Sequence, residues 1–513
     1  MKPIHILIYI FISCFSSTII HAQNGSLDLT FGNGGKVVTN FGYSSFARSV
    51  AIQADGKIVV AGDAKSANHN NIALVRYTTN GLPDITFGNG GKVITDIDTL
   101  ALAVSVAIQA DGKIVVFAQN SGLNIALVRY QTDGTLDNSF GIGGKALIHI
   151  LFMQIDNFAL AIQPDGKIVA VGASNNGTNN NFFVARCKTN GTLDSTFGNA
   201  GTVSTPIGAN GSNALAVALQ ADGKIVAAGY ASNGSDNDFA LVRYNTNGTL
   251  DNTFGNGGIQ TSPIGLLDEL CNSVVIQNDG KIIAGGYVIN NLPSGRDFAM
   301  ARYHTDGTLD NQFGNGGKVI YTTDSVDISK AIGLLPTGKI VQAGQRNTNT
   351  GIDFVLTCYN TDGTADNTFG NAGSLTADIA GNDACTALAV QADGKIVMVG
   401  SSKDGANYNN FTVVRVNYDP PIAEGIENFS SPQNTLLASP NPFTQYTTLH
   451  FATAFQDATL VVYNLVGQQV IELNHLSGNK ITLHRQHLPM GLYRAELIQN
   501  KKQIATGQIM VSN

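Results

Sequence analysis

Tryptophan is missing altogether, and with it the ring that stacks best on sugars, so any glycan contact falls to Tyr and Phe. Charge is scarce: 13% of the 513 residues are Asp, Glu, Lys or Arg, and the net charge is −7. No cluster of Lys and Arg stands out, which argues against a phosphate-binding surface and against nucleic acid as a partner. Cysteine is sparse too. Cys14 lies near the start, and Cys187, Cys271, Cys358 and Cys385 are far apart with no CxxC spacing. Four thiols allow three pairings, among which the sequence does not choose; buried free thiols in strands are the simpler reading. Helical spacing and helix start and stop signals are absent between residues 24 and 419. So are the GxSxG elbow and the HExxH helix, which would place a nucleophile or a zinc ion. Glycine, by contrast, is abundant at 57 residues, the profile of a turn-rich all-β chain.

Met1 to Ala22 has a basic start at Lys2, an apolar run from Ile4 and a small residue at its end. This pattern is a secretory signal peptide with cleavage before Gln23. The run is too short for a spanning helix, so no transmembrane segment is expected in the mature chain. Phe11-Ile12-Ser13-Cys14 also resembles a lipoprotein cleavage box, to which Phe11 fits poorly.

The rest of the chain is organised around Val50 to Gly62, VAIQADGKIVVAG, two short apolar strands joined by a tight turn. The turn returns seven times: Asp55-Gly56, Asp111-Gly112, Asp165-Gly166, Asp222-Gly223, Asp279-Gly280, Thr337-Gly338 and Asp393-Gly394, at steps of 56, 54, 57, 57, 58 and 56 residues. A fixed period of this size means a repeat architecture. Each unit carries four strand-like segments, a to d, and Asp-Gly between a and b predicts a two-residue type I′ hairpin. Where Thr337 replaces Asp, Gly338 stays, as a turn set by backbone geometry requires. The c–d connection repeats as well, on the pattern NTDGTLDNTFGNGG (NTNGTLDNTFGNGG at Asn245–Gly258), with Phe31, Phe87, Phe140, Phe197, Phe254, Phe313 and Phe369 each followed by glycines. Such an aromatic is expected to plug between neighbouring units.

Strand order predicts a closed ring. Strand d at Lys36–Thr39 precedes the first a–b–c set, and no strand d follows the seventh strand c at Phe411–Tyr418. An open stack would expose two edges. Closure removes both, predicting a seven-bladed β-propeller whose last blade combines residues 384–418 with 35–40. The a–b turns and c–d loops then share one face, nearly constant from unit to unit. The b–c and d–a loops share the other, which varies freely and is where a ligand site is expected. The units resemble the delta-60 repeat family of bacterial β-propellers, on seven copies each of a DGK-I-V and a TFG-x-x-G motif over residues 24–419, with Thr337 for the Asp, Ile283 for the Val, and Ser139 and Gln312 for the Thr. The resemblance implies the propeller fold and no particular activity.

Residues 420–437 read as a linker. Beyond them alternating strands at Thr447–Phe451, Ala458–Asn464, Gln469–Leu473, Lys480–Leu483, Gly491–Leu497 and Ile504–Val511 predict a small β-sandwich. Ser439-Pro440-Asn441-Pro442-Phe443, the run Val461 to Gly467, and Leu488 to Tyr493 with Gly491 look like a type IX secretion sorting domain of type A. That resemblance implies export across the outer membrane of Bacteroidota-type bacteria, with the type IX machinery as partner. Such domains are commonly cleaved afterwards.

Candidate chemistry is thin. Seven [Asn/Asp]-Gly-x-x-Asp loops, from Asn24/Asp28 to Asp362/Asp366, could hold calcium, the one cofactor to consider, but Asx turns explain both residues without a metal. GNGGK opens a strand, not a helix, which argues against a phosphate loop. His69, His149 and His304 stand in three different units. Asp96 with Asp98, and Asp268 with Glu269, lie in d–a loops that could face the axis. Strand c arginines Arg76, Arg129, Arg186, Arg243, Arg302 and Arg415 recur, with Cys358 in the seventh place, and suit bonds between blades. The expectation is a secreted or surface propeller that binds an extracellular protein or glycan and carries no catalytic residue. The alternatives are an extracellular hydrolase or lyase with an axial carboxylate site, and a surface scaffold.

Overall fold

The computed structural model describes residues 23–511, apart from 67–68, 98–100, 121–123, 150–152, 291–294, 407, 419–435, 440, 442, 465–467, 486–487, 490 and 501. The signal-peptide segment therefore lies outside the described residues, as do Asp98, Pro440, Pro442 and Gly467. The chain divides into two compact units, residues 1–420 and 421–513.

The first unit is seven four-stranded antiparallel sheets. Blade one runs Ser45–Ile52, Ile58–Lys65, Asn70–Tyr77 and Lys92–Thr95, as strands a to d. Strands b and c are almost wholly buried, because both faces of each sheet pack on neighbouring blades, so they read as continuous apolar runs. Strands a line the axis, each beside the next, from blade one to blade seven and back. The short strands d form the rim and show one exposed residue each, such as Val38 and Ile94.

The ring closes as the strand order predicts. Blade seven is Asp383–Val390, Ile396–Lys403 and Asn409–Val416, completed by Lys36–Thr39, with Lys36 opposite Val414 and Thr39 opposite Phe411. Residues 23–35 also supply the seventh c–d loop. The N–H of a glycine after each buried Phe donates to a carbonyl of the next blade's loop at 2.7–2.9 Å, from Gly32→Asn80 round to Gly370→Asn24. The plugs are buried, and the next blade's loop glycine lies flat on the ring: a Cβ on Gly134 would stand 2.9 Å from Phe87.

Two details differ from the sequence reading. Only the glycine of each a–b turn takes positive φ, +81° at Gly56 and at Gly338. Gln53 N donates to Lys57 O and Gly56 N to Gln53 O, so the connection is a three-residue loop with the glycine in a bulge, not a type I′ turn. The aspartate keeps ordinary φ and its Oδ1 caps the following N–H, as Asp55 does for Lys57 at 3.1 Å. Strand a also starts earlier than its apolar alternation suggests. A one-residue β-bulge breaks the period in six blades, at Arg48 in blade one and Thr386 in blade seven, and in blade three the register shifts between Gln154 and Ala159.

The C-terminal unit is one five-stranded sheet that folds over on itself, with a core that includes Phe443, Leu449, Leu460, Val462, Tyr493 and Ile509. Segments expected as separate strands are halves of two long ones, Tyr446–Tyr463 and Gln469–His484. The first strand, Leu436–Ser439, lies partly in the expected linker. No helix among the described residues is long and apolar enough to cross a membrane.

Candidate binding face

A cavity of about 1430 Å³ opens at the axis on the near-constant face, opposite the face expected to bind. Its wall is built from the a–b turns, including Gln53, Asp55, Gln277, Asp279, Gln391 and Asp393. The turn carboxylates are engaged by protein donors. Asp55 pairs with Lys57 at 3.3 Å, and Lys57 also reaches Asp84 at 3.3 Å. No histidine or cysteine is among the described residues that line it.

The variable face carries its side chains in the junctions between blades. In the seven–one junction the d–a loop 40–44 is tied to the b–c loop 404–408. Asn40 Nδ2 donates to Asp404 at 3.4 Å and Asn409 N to Ser44 Oγ at 3.3 Å. Asp404 also accepts the N–H groups of Ala406 and Tyr408, which fixes its loop. Tyr43 and Tyr408 project from these two loops, 49% and 44% exposed, although most tyrosines of the ring are buried. Elsewhere on this face Asp268 accepts Asn237 N and Nδ2 across the four–five junction at 2.9 Å each. Glu269 is buried and receives Ile264 N at 2.7 Å. Burial pushes its carboxyl up to about 7 against those N–H bonds, and nearby Asp238 adds to the rise.

The three histidines stay apart. His69 meets Asp96 at 3.3 Å, His304 lies 3.7 Å from Asp310, and His149 ends its strand in another blade. The Asp268/Glu269 pair is spent on N–H capping. The strand c arginines form a repeated structural set. Each Nε donates to the loop Asp at 2.7–3.0 Å, each guanidinium sits 4.4–4.7 Å over the loop Phe, and Nη1 reaches a carbonyl of the next blade, Arg243 that of Thr305. Burial opposes ionisation of Asp28, Asp84, Asp194 and Asp310, but N–H, lysine and arginine partners, joined by a threonine hydroxyl at the first three, hold each down to about 2. In five of the loops the first Asx caps its own turn, as Asp133 does for Thr135 N and Oγ1, while Asn80 accepts the hydroxyl of Thr78. These loop oxygens are thus directed at protein donors. The four described cysteines, Cys187, Cys271, Cys358 and Cys385, are buried free thiols, and burial pushes each up to about 12.

In the C-terminal unit Asn441 clamps the last strand, donating to Gln508 O at 3.1 Å and accepting Met510 N at 2.7 Å. Phe443 N donates to Met510 O, Ser439 ends the first strand, and Gly491 opens the strand that carries Tyr493. Tyr493 Oη donates to Pro489 O at 2.8 Å.

Comparison with known families returns a β-propeller repeat matched seven times and a C-terminal sorting domain. The family described as "Domain of unknown function (DUF5122) beta-propeller" matches residues 53–87, 109–140, 163–197, 220–254, 277–313, 335–369 and 391–419. The family described as "Secretion system C-terminal sorting domain" matches 439–512. The chain carries seven repeats of the propeller family and a type IX sorting domain, which directs export to the cell surface or extracellular space. No curated protein matches it. Among solved structures it is similar to a fungal alcohol oxidase in complex with copper (15% identity, 94% of this chain and 100% of that one, TM-score 0.44). It is also similar to a catalytically inactive virginiamycin B lyase from Staphylococcus aureus with quinupristin (10%, 75% and 99%, 0.42) and to the polysaccharide lyase Uly1 (11%, 74% and 88%, 0.32). At these TM-scores the likenesses carry no functional argument.

Proposed function

We propose that this protein is an exported, non-enzymatic propeller that binds an extracellular glycan through its variable face, at the seven–one junction. The observation that carries the reading is the pair Tyr43 and Tyr408, half-exposed on two loops tied together by Asn40, Asp404 and Ser44. Aromatic faces beside amide and carboxylate groups suit a sugar, whose ring offers apolar C–H faces and hydroxyl edges. A rigid ring holding variable loops is the usual arrangement for recognition.

The test is a binding screen of the full mature chain on glycan and cell-surface protein panels, with turnover followed for every hit. The reading expects an intact bound glycan and at least tenfold weaker binding by the Tyr43→Ala/Tyr408→Ala double variant at an unchanged melting temperature. Cleavage of the bound glycan would instead direct attention to the carboxylates of the axial cavity. Capture of a protein alone, or binding indifferent to the two tyrosines, would overturn the glycan assignment.

A further inference from the structure

The junction of blades six and seven gathers three carboxylates. Asp353 lies in strand c of blade six (Gly351–Tyr359), Asp378 follows that blade's strand d (Ser374–Ala377), and Asp383 opens strand a of blade seven. One oxygen from each lies within 4.8 Å of the others. Asp353 and Asp383 are buried, at 2% and 0% exposure, while Asp378 is open to solvent.

A buried carboxylate needs a partner for each oxygen. Asp383 has backbone partners: its Oδ2 accepts Ile379 N at 2.6 Å and Ala380 N at 3.2 Å. Asp353 has one. Its Oδ2 accepts Thr348 Oγ1 at 2.7 Å, and its Oδ1 is buried with no hydrogen-bond partner. Among the described residues no ion pair neutralises the three carboxylates. Lys36 reaches this junction, but its ammonium donates to the backbone carbonyl of Asp378 at 2.5 Å.

The neighbouring junction shows what belongs in such a place. There Asp297 and Asp327 take the positions of Asp353 and Asp383, one residue before the strand c Phe and at the head of strand a. Arg346 holds Asp327 with two bonds of 2.8 Å, Nε to Oδ1 and Nη2 to Oδ2. Arg346 stands opposite Asp327 on strand b, and the residue opposite Asp383 is Ser402. Its hydroxyl is bonded to Thr412 at 2.6 Å. Among the described residues no arginine or lysine side chain bonds the carboxylates of Asp353, Asp378 or Asp383 as Arg346 bonds that of Asp327.

We propose that the six–seven junction binds one calcium ion through the carboxylates of Asp353, Asp378 and Asp383. An all-oxygen donor set suits a hard cation, and ligands on opposite sides of calcium stand about 5 Å apart, against about 4 Å for magnesium. Exposed Asp378 gives the ion its entry path and leaves room for water to complete the shell. The ion does for the six–seven junction what Arg346 does for five–six, and it fixes the d–a loop Asp378 to Asn382 on the variable face.

The test uses the full mature chain, stripped with chelator, titrated calorimetrically with calcium chloride alone and melted with and without it. The expected result is saturable binding near the millimolar range of extracellular modules and a higher melting temperature. Asp378→Asn changes an exposed side chain, so the variant should fold, melt normally without calcium and bind calcium at least tenfold more weakly. Ser402→Arg, which returns a guanidinium to the place of Arg346, should abolish the calcium response. No calcium binding up to 10 mM chloride, or binding of equal strength in the wild type and Asp378→Asn, would overturn the proposal.

Discussion

Each strand c arginine performs three tasks: its charge faces a loop aspartate, its plane covers a loop phenylalanine, and its Nη1 crosses to the next blade. Breaking a buried pair costs about 3–5 kcal/mol. Arg243→Ala should cost about 3 kcal/mol in chemical denaturation, the low end of that range, because Lys224 stays 3.2 Å from Asp251. Glycine positions separate strain from collision. Gly90 has φ +60° and open space around its missing Cβ, whereas Gly134 has φ +87° and the Phe87 ring at 2.9 Å. Gly134→Ala should therefore destabilise more than Gly90→Ala, by about 1–3 kcal/mol. The loop aspartates set acid behaviour. Asp28, Asp84, Asp194 and Asp310 sit at about 2 in the folded chain, below the ordinary carboxylate value near 3.9. Folding holds them in the charged form, so their stabilisation is complete above pH about 4 and is lost as pH falls through about 2. Melting temperature should drop across that window, and less steeply in an Asp84→Asn variant.

Elements were legible where the repeat sets them and obscure where backbone irregularity interrupts the period. Strand d at Lys36–Thr39 agrees residue for residue with its apolar pattern. Ser45 to Arg48 did not read as strand, because the bulge at Arg48 puts consecutive side chains out of alternation. The two long C-terminal strands looked like four for a related reason. Asp457 and His475, at φ +52° and +57°, give the signature of turns but sit at kinks within continuous strands. The variable face could be read by comparing the units. The acidic junction could not, since Asp353 and Asp383 lie 30 residues apart in two blades and only the packing of those blades unites them. In the sorting domain, Phe443 is buried and its N–H holds the last strand. Phe443→Ala should cost about 3–5 kcal/mol in that sheet and reduce the amount of protein reaching the medium, measured by immunoblot of culture fractions.

At the scale of the molecule, the N-terminal segment is what turns an array into a ring. Residues 23–39 supply a strand, a buried Phe plug and the Asp28 partner of Arg415 to the last blade. A chain that begins at Asn40 should lose its single cooperative melt and bind hydrophobic dye, because both edges of the ring open. The closed ring leaves two faces that differ in kind: one repeats the same turns around an axial cavity, and the other carries unlike loops tied together between blades. We assign recognition to the second. The most direct measurement is hydrogen exchange of the full mature chain with and without a glycan retained in the screen. Protection confined to residues 40–45 and 404–409 is the predicted result. Protection at the axial turns, residues 53–56, 277–280 and 391–394, would place the ligand in the cavity and contradict it.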